Sequence, residues 1–478
     1  MREGDGAARE AARREIALLD AWGPRLTGND AHGRLVGHVA RRWTDLGLRV
    51  QEDVHTFTRW DAPTAQDGLR LTIGDGPAVL PSSAFPYSGA TGPDGVRGPL
   101  RLLGGPLPRW SKARDGIAVV ELRNRPLPVG RLVRTWDGTE GWGPRSVPLI
   151  SATLAGAGLA RTRKAGVRGV VFVWRDITPD NARDQYVPFT LPYQDLPAVF
   201  VAGPEADTVL DAARDGAAAT LVLDARLTPR VPTRTVWTVI EGTDLPDETV
   251  LVVSHSDGTN SVEENGHIGL VELARALCAA PPRRTVVFVL ATGHLRIPAV
   301  TDEGQATTRW LRDHPEYWSG PRRAVAGLAI EHLGAVEYRD DPTTGRYGPT
   351  GAAEPELLYA TTRELKHLVD QEWHGPEPGP IRVSAPGPMV HFGEGEPLYQ
   401  HGIPAVSLVT APQYLLSTRQ DAYVDVDLLL RQLDGFHRLL RRIDAAPADG
   451  LGTVTRPGRV SRTLGTAATL ASLLRHRR

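Results

Sequence analysis

The chain has 478 residues, with 55 Lys and Arg against 56 Asp and Glu and a formal net charge of −1. That length exceeds one ordinary core, so two domains are expected, and the near-neutral balance gives no electrostatic footing for nucleic acid or a membrane surface. A single cysteine, Cys278, rules out an internal disulfide and a cysteine-ligated zinc, so any metal must use His, Asp or Glu.

Met1 to Arg14 is charged and lacks an apolar core of signal-peptide length. No apolar run reaches the roughly 18 residues that a membrane span needs. The simplest reading is a cytoplasmic protein. Residues 1 to about 60 predict two helices and a strand. Leu35, Val36, Val39, Trp43 and Leu46 fall at helical spacing, and Gly47 ends the run. Residues 66–232 change texture, with many Gly, Pro and short apolar runs. Strands are expected near 116–120, 165–173, 196–201 and 220–223, with helices near 151–164 and 204–214. This stretch reads as a β-rich module with few helices. Gly156-Ala157-Gly158 falls inside a predicted helix, so it is no dinucleotide-binding turn.

Residues 233–445 alternate strand and helix. Strands are predicted over 236–241, 249–254, 285–291, 325–330 and 405–409, several of them β-branched runs suited to burial on both faces. Helices are predicted over 265–279 and 304–313. A last helix carries Leu429, Leu433, Phe436, Leu440 and Ile443 on one face. Cys278, in an apolar run, reads as a small core residue. Residues 446–478 form a basic, small-residue tail, in which 464–474 can be a surface helix.

Ligands of open α/β sheets bind beyond the carboxyl ends of the strands. The polar residues that follow each predicted strand are therefore the candidates. His255, Ser256 and Asp257 follow 249–254 and lead through Glu263 and Glu264 into a helix. Gly293 and His294 follow 285–291, and Glu331 and His332 follow 325–330. His391, Glu394, Glu396 and His401 precede the last strand. Singly, each is an ordinary structural residue; together they place metal-type ligands in one crevice. The helical zinc motif, the nucleophile elbow and the phosphate loop are absent from the sequence.

These segments resemble the family-28 metallopeptidases, the zinc aminopeptidase group that includes glutamate carboxypeptidase-like proteins and glutaminyl cyclases. The likeness spans about 1–65 and 233–445. Gly23-Pro24-Arg25-Leu26-Thr27-Gly28 is similar to the family's entry segment, residues 250–257 to its strand ending in His-x-Asp, and Gly402-Ile403-Pro404-Ala405 to its late strand. The resemblance implies an α/β zinc-exopeptidase-like mixed sheet flanked by helices. It also implies domains at 1–65, 66–232, 233–445 and 446–478, the second being an inserted protease-associated domain.

By the same resemblance, His255 matches the first His ligand and Asp257 its supporting Asp. Glu264 and Glu331 stand where the family has Asp ligands. The family's Glu-Glu pair aligns with Gly293-His294, and a one-residue slip puts His294 at the general-base position. The late His is Ser417, and the Ser-Asp-His segment reads Gly393-Glu394-Gly395. One zinc per chain is therefore expected on His255, Glu264 and Glu331, with His294 as a fourth ligand or the base. Glu263, Glu394 or His294 would shuttle the proton, and His267 and His332 are reserve ligands. Loss of the base-position Glu argues against ordinary aminopeptidase chemistry, for which only Glu394 and Glu396 offer to hold a substrate amine. The expected function is a metal-dependent hydrolase of peptide or small amide substrates, with a homodimer as the default assembly. The alternatives are an inactive binding relative and a cyclase or tailoring enzyme on the same scaffold.

Overall fold

The computed structural model describes residues 3–63, 68–105, 108–128, 130, 133, 135–139, 142–189, 191–295, 306–375, 382–386 and 391–455. Gly304 and the helix expected over 464–474 lie outside these.

The central strands Arg284–Ala291, Leu245–His255, Arg323–Ile330 and Ala405–Val409 are neighbours and run parallel. Their side chains are buried almost throughout, because helices cover both faces. One face packs against Asp30–Asp45, Gly266–Ala279 and Val426–Ala445, with Trp43, Phe288 and Phe436 in the shared core. The other receives Ala306–Asp313 through Trp310 and Leu311. Antiparallel strands extend the sheet on both sides: Arg226–Ile240 and Val50–Asp61 beyond Arg284–Ala291, and Leu357–Ala360 beyond Ala405–Val409. The mixed sheet flanked by helices is the expected fold class.

A second sheet lies in residues 69–223. Its strands Val96–Leu103, Ile117–Arg123, Gly169–Arg175 and Ala198–Ala202 are parallel neighbours. It has its own core, in which Phe85, Phe172, Phe200 and Trp174 stack. Helices Pro148–Gly156 and Glu205–Asp215 pack on it.

Two expectations need correction. The strand foreseen from 236 begins at Arg226: its first half pairs with Val50–Asp61 as a ribbon leading toward the second sheet. That half alternates charged residues with Pro and has little buried face, so its pattern is faint. Cys278 is exposed, because it follows buried Leu277 by one position and so points about 100° away around the helix.

The two sheets are seamed together. The Tyr186 N–H donates to the Leu416 carbonyl at 2.8 Å, and Asp340 accepts from Thr178 Oγ1 at 2.6 Å and Asn181 Nδ2 at 3.0 Å. Arg145 forms an ion pair with buried Glu354. Within the main sheet, Gly266 lets its helix touch the strands. A Cβ there would lie 1.9 Å from the Ile330 carbonyl oxygen and 2.3 Å from Ser254 Oγ.

Gly266→Ala is therefore expected to cost about 1–3 kcal/mol by overpacking, read as a lowered urea midpoint. An unchanged midpoint would mean that the contact yields freely. Glu354 supplies a pH test. Burial pushes its carboxyl from 4.5 up to about 7 against the pull of Arg145. The folded chain then holds more protons than the unfolded one between those values, so this group's contribution to stability falls as pH rises through that window. The midpoint of Glu354→Gln should fall less steeply than wild type between pH 4.5 and 7; parallel profiles would contradict this.

Candidate metal centre

The four parallel strands end on one edge of the sheet, and the polar residues there form one buried cluster. His255 is the last residue of its strand. Its Nδ1 faces the Asp257 carbonyl at 2.9 Å, so an N–H there donates and Nε2 is aimed into the site. Glu331 follows the next strand, and its Oε2 lies 3.5 Å from His255 Nε2. His332 has left-handed backbone, with φ of 54°. That breaks the alternation which would send neighbouring side chains to opposite sides, and both Glu331 and His332 line the same cleft. His332 Nδ1 lies 3.0 Å from the Thr410 carbonyl and 3.1 Å from the Thr410 N–H, leaving Nε2 unpartnered.

His255 Nε2, Glu331 Oε2 and His332 Nε2 are buried without a hydrogen-bond partner. Three such atoms, each costly to leave unmet in a dry interior, converge within 4.8 Å of one another. Two imidazole nitrogens and one carboxylate oxygen are a donor set that suits zinc. A second group of the same kind joins His255 to Glu263 and His294.

His294 stacks on His255, with ring centres 4.0 Å apart. Its Nδ1 lies 3.1 Å from Glu394 Oε1 and its Nε2 lies 3.4 Å from Glu263 Oε1. Burial works against its charge, but the two carboxylates outweigh burial and hold the imidazolium well above its usual range. Burial likewise opposes charge on Glu394, yet His294 on one oxygen and the Thr307 N–H on the other keep its pKa low. Burial and His294 disfavour protonation of His255, while Glu263 and Glu331 carry it up to about 9. Burial lowers His332, which favours the neutral ligand form.

Several expected roles change. Glu264, expected as a ligand, is in neither donor group: one of its oxygens forms a fully buried ion pair with Arg25, and the other is buried without a partner. Arg25 also donates to the carbonyls of Leu19 and Gly23. Adjacent residues in the loop therefore take different partners: Glu263 takes His294 at the cleft and Glu264 takes the guanidinium. Asp257 was named with the catalytic set, but its carboxylate is consumed as a brace. One oxygen accepts the N–H groups of Gly293 and His294 at 3.1 and 3.3 Å; the other accepts that of Leu295 at 2.7 Å and the Thr27 hydroxyl. It fixes the turn that presents His294.

Glu394 stands behind His294 rather than in the cleft, and Glu396 bonds Gln400 on its own helix. Neither reaches the cleft to hold a substrate amine. The reserve ligand His267 turns to the Glu264 carbonyl. His391 bonds Ser407 and His401 bonds the Pro397 carbonyl, both away from the cluster. Gly393 allows a close approach: its φ is 79°, and a Cβ would meet Glu331 Oε1 at 2.5 Å. There the Glu394 N–H donates to that same oxygen, orienting the other one inward.

Above the cluster lies a cleft of about 350 Å³. Glu263, His294, Glu331 and His332 form its polar end. The rest is mainly apolar: Trp142, Leu149, Ile150 and Phe189 come from the second unit, and Phe392 and Val409 from the main one. Sequence reading missed Arg25 and this wall. A buried Arg just after a helix, and the apolar run Val147-Pro148-Leu149-Ile150, were the available signals.

No protein-family profile and no curated protein matches the sequence. Solved structures do match. A peptidase M28 precursor from Shewanella amazonensis superposes with a TM-score of 0.64 at 15% identity, over 95% of this chain and 100% of that one. The zinc aminopeptidase BSAP from Bacillus subtilis gives 0.61 at 14% identity, over 92% and 97%. An aminopeptidase from Aneurinibacillus sp. strain AM-1 gives 0.60 at 14% identity, over 94% of each chain. Over nearly its whole length, the chain has the zinc-exopeptidase fold of these aminopeptidases.

Proposed function

We propose that this chain is a zinc-dependent hydrolase of amide bonds flanked by a large apolar group. The observation that carries the reading is the convergence of three buried, unpartnered donor atoms on His255, Glu331 and His332. These residues would hold one zinc, which supplies Lewis acidity toward a carbonyl or a water when bound. His294 has a different task. Held between Glu263 and Glu394, its imidazolium is placed to give a proton to a leaving nitrogen at the cleft end. Glu263 Oε1 shares that proton and faces the cleft. Glu394 and the Thr307 N–H keep the ring oriented.

The cleft favours acylated or otherwise neutral substrates over free amino-terminal ones. Its only described carboxylates, Glu263 and Glu331, belong to the cluster. The apolar wall would take a bulky side chain and exclude water from the reacting end.

Elemental analysis of tag-free, chelator-free protein should find about one zinc per chain. His255→Ala and His332→Ala should each lose it, whereas Glu264→Gln should keep it. No zinc after add-back would end the reading, and loss in Glu264→Gln would restore that residue as a ligand. On substrate, N-acetyl-phenylalanine amides should be cleaved with at least about tenfold higher kcat/KM than their free-amine counterparts. Trp142→Ala should raise KM at least about tenfold with kcat little changed, as expected for losing one large apolar contact of about 1.5–3 kcal/mol. A preference for the free amine would reject the substrate class while leaving the metal assignment standing.

A further inference from the structure

We propose that the second unit carries its own binding site for a small organic oxyanion, a carboxylate or phosphate on an apolar body. A cavity of about 700 Å³, twice the volume of the cleft, opens at the carboxyl ends of the parallel strands Val96–Leu103 and Ile117–Arg123. That edge is where open α/β sheets bind ligands. Its floor is apolar, with Leu103, Trp110, Leu122 and Leu210. Small residues keep it open: Ala155, Ala157 and Gly158 lie along one wall, and a Cβ on Gly158 would meet the Trp110 ring at 3.2 Å.

The charged lining residues among those described are four arginines, Arg123, Arg125, Arg161 and Arg214, and one acid, Glu121. Arg123 reaches Glu121 at 2.7 Å and Asp176 at 3.6 Å, and Arg125 reaches the same Asp176 at 3.8 Å. Arg214 pairs with Asp211. Arg161 has no ion-pair partner among the described residues and is exposed. Exposed pairs of this kind are weak, so an incoming oxyanion can take guanidinium donors in the two-pronged geometry that arginine offers. An apolar floor under a cationic rim fits a ligand with one anionic end.

The site is not remote from the cleft. Helix Pro148–Gly156 is their common wall, and Leu154 lines both. Ser151, on the cavity side, ties this helix to Asn124 just past the strand end at 2.9 Å.

Titration calorimetry on the full chain tests this with decanoate, decyl phosphate and neutral decanamide. At least one anion should bind saturably at one per chain, with decanamide about tenfold weaker or worse. Decanoate alone would identify a carboxylate ligand, and decyl phosphate alone a phosphate. Arg161→Glu should weaken the anion about tenfold at an unchanged melting temperature, as expected for losing one charge-assisted contact. Ala155→Phe should abolish binding by filling the cavity. Trp142→Ala, in the cleft, should leave it intact. Absence of saturable binding, equal binding of decanamide, or loss in Trp142→Ala with retention in Arg161→Glu would overturn the proposal.

Discussion

The parallel alignment of four central strands is the constraint on which the site depends. Register pairs Ser254 with Leu290, Val253 with Ala329 and Ile330 with Leu408, so the chain leaves the sheet at nearly one level four times. Whatever polar residue follows each strand must then share a small volume with the others. His255, His294, Glu331 and Thr410 meet for that reason, although they are far apart in sequence. Burial on both faces gives the strands no freedom to slip, since a one-residue shift would exchange the side chains fitted against the two layers and misfit both.

That geometry leaves aim to be set locally, and the chain does so with backbone contacts. Backbone groups of Asp257 and Thr410 face one nitrogen of His255 and of His332, so the other nitrogen points inward. Asp257 gathers three successive N–H groups to shape the His294 turn. Gly393 lets the Glu394 N–H reach Glu331. Each device is rigid because it uses main chain rather than long side chains, which suits a site that must hold its donors in place.

The sheet was readable from sequence because its strands are unbroken β-branched runs between turn signals, and the strand after 404 was placed to the residue. The cluster was readable at its strand ends, where His255, His294 and Glu331 stand. What sequence could not supply was side-chain direction within a loop. Glu263 and Glu264 are chemically equivalent neighbours, and only the position of Arg25, more than two hundred residues earlier, decides which one enters the cleft. His332 turns inward only because its backbone is left-handed, which a histidine does not advertise. The ribbon at 226–235 and the hairpin Val336–Asp341 with Arg346–Ala353 were faint because few of their residues are buried and the pattern of a core face is short.

Charge balance ties these details together. Glu263, Glu264, Glu331 and Glu394 are all buried, and buried charges persist only when compensated. Arg25 answers Glu264, and the His294 imidazolium answers one of the pair that grips it. With the Asp257 carboxylate also buried beside them, an excess of negative charge remains around His255 and His332. A proton on His255, whose pKa is carried up to about 9, offsets only part of that excess. A divalent cation on the three unmet donors would offset more of it and leave His255 in the neutral form that a ligand requires.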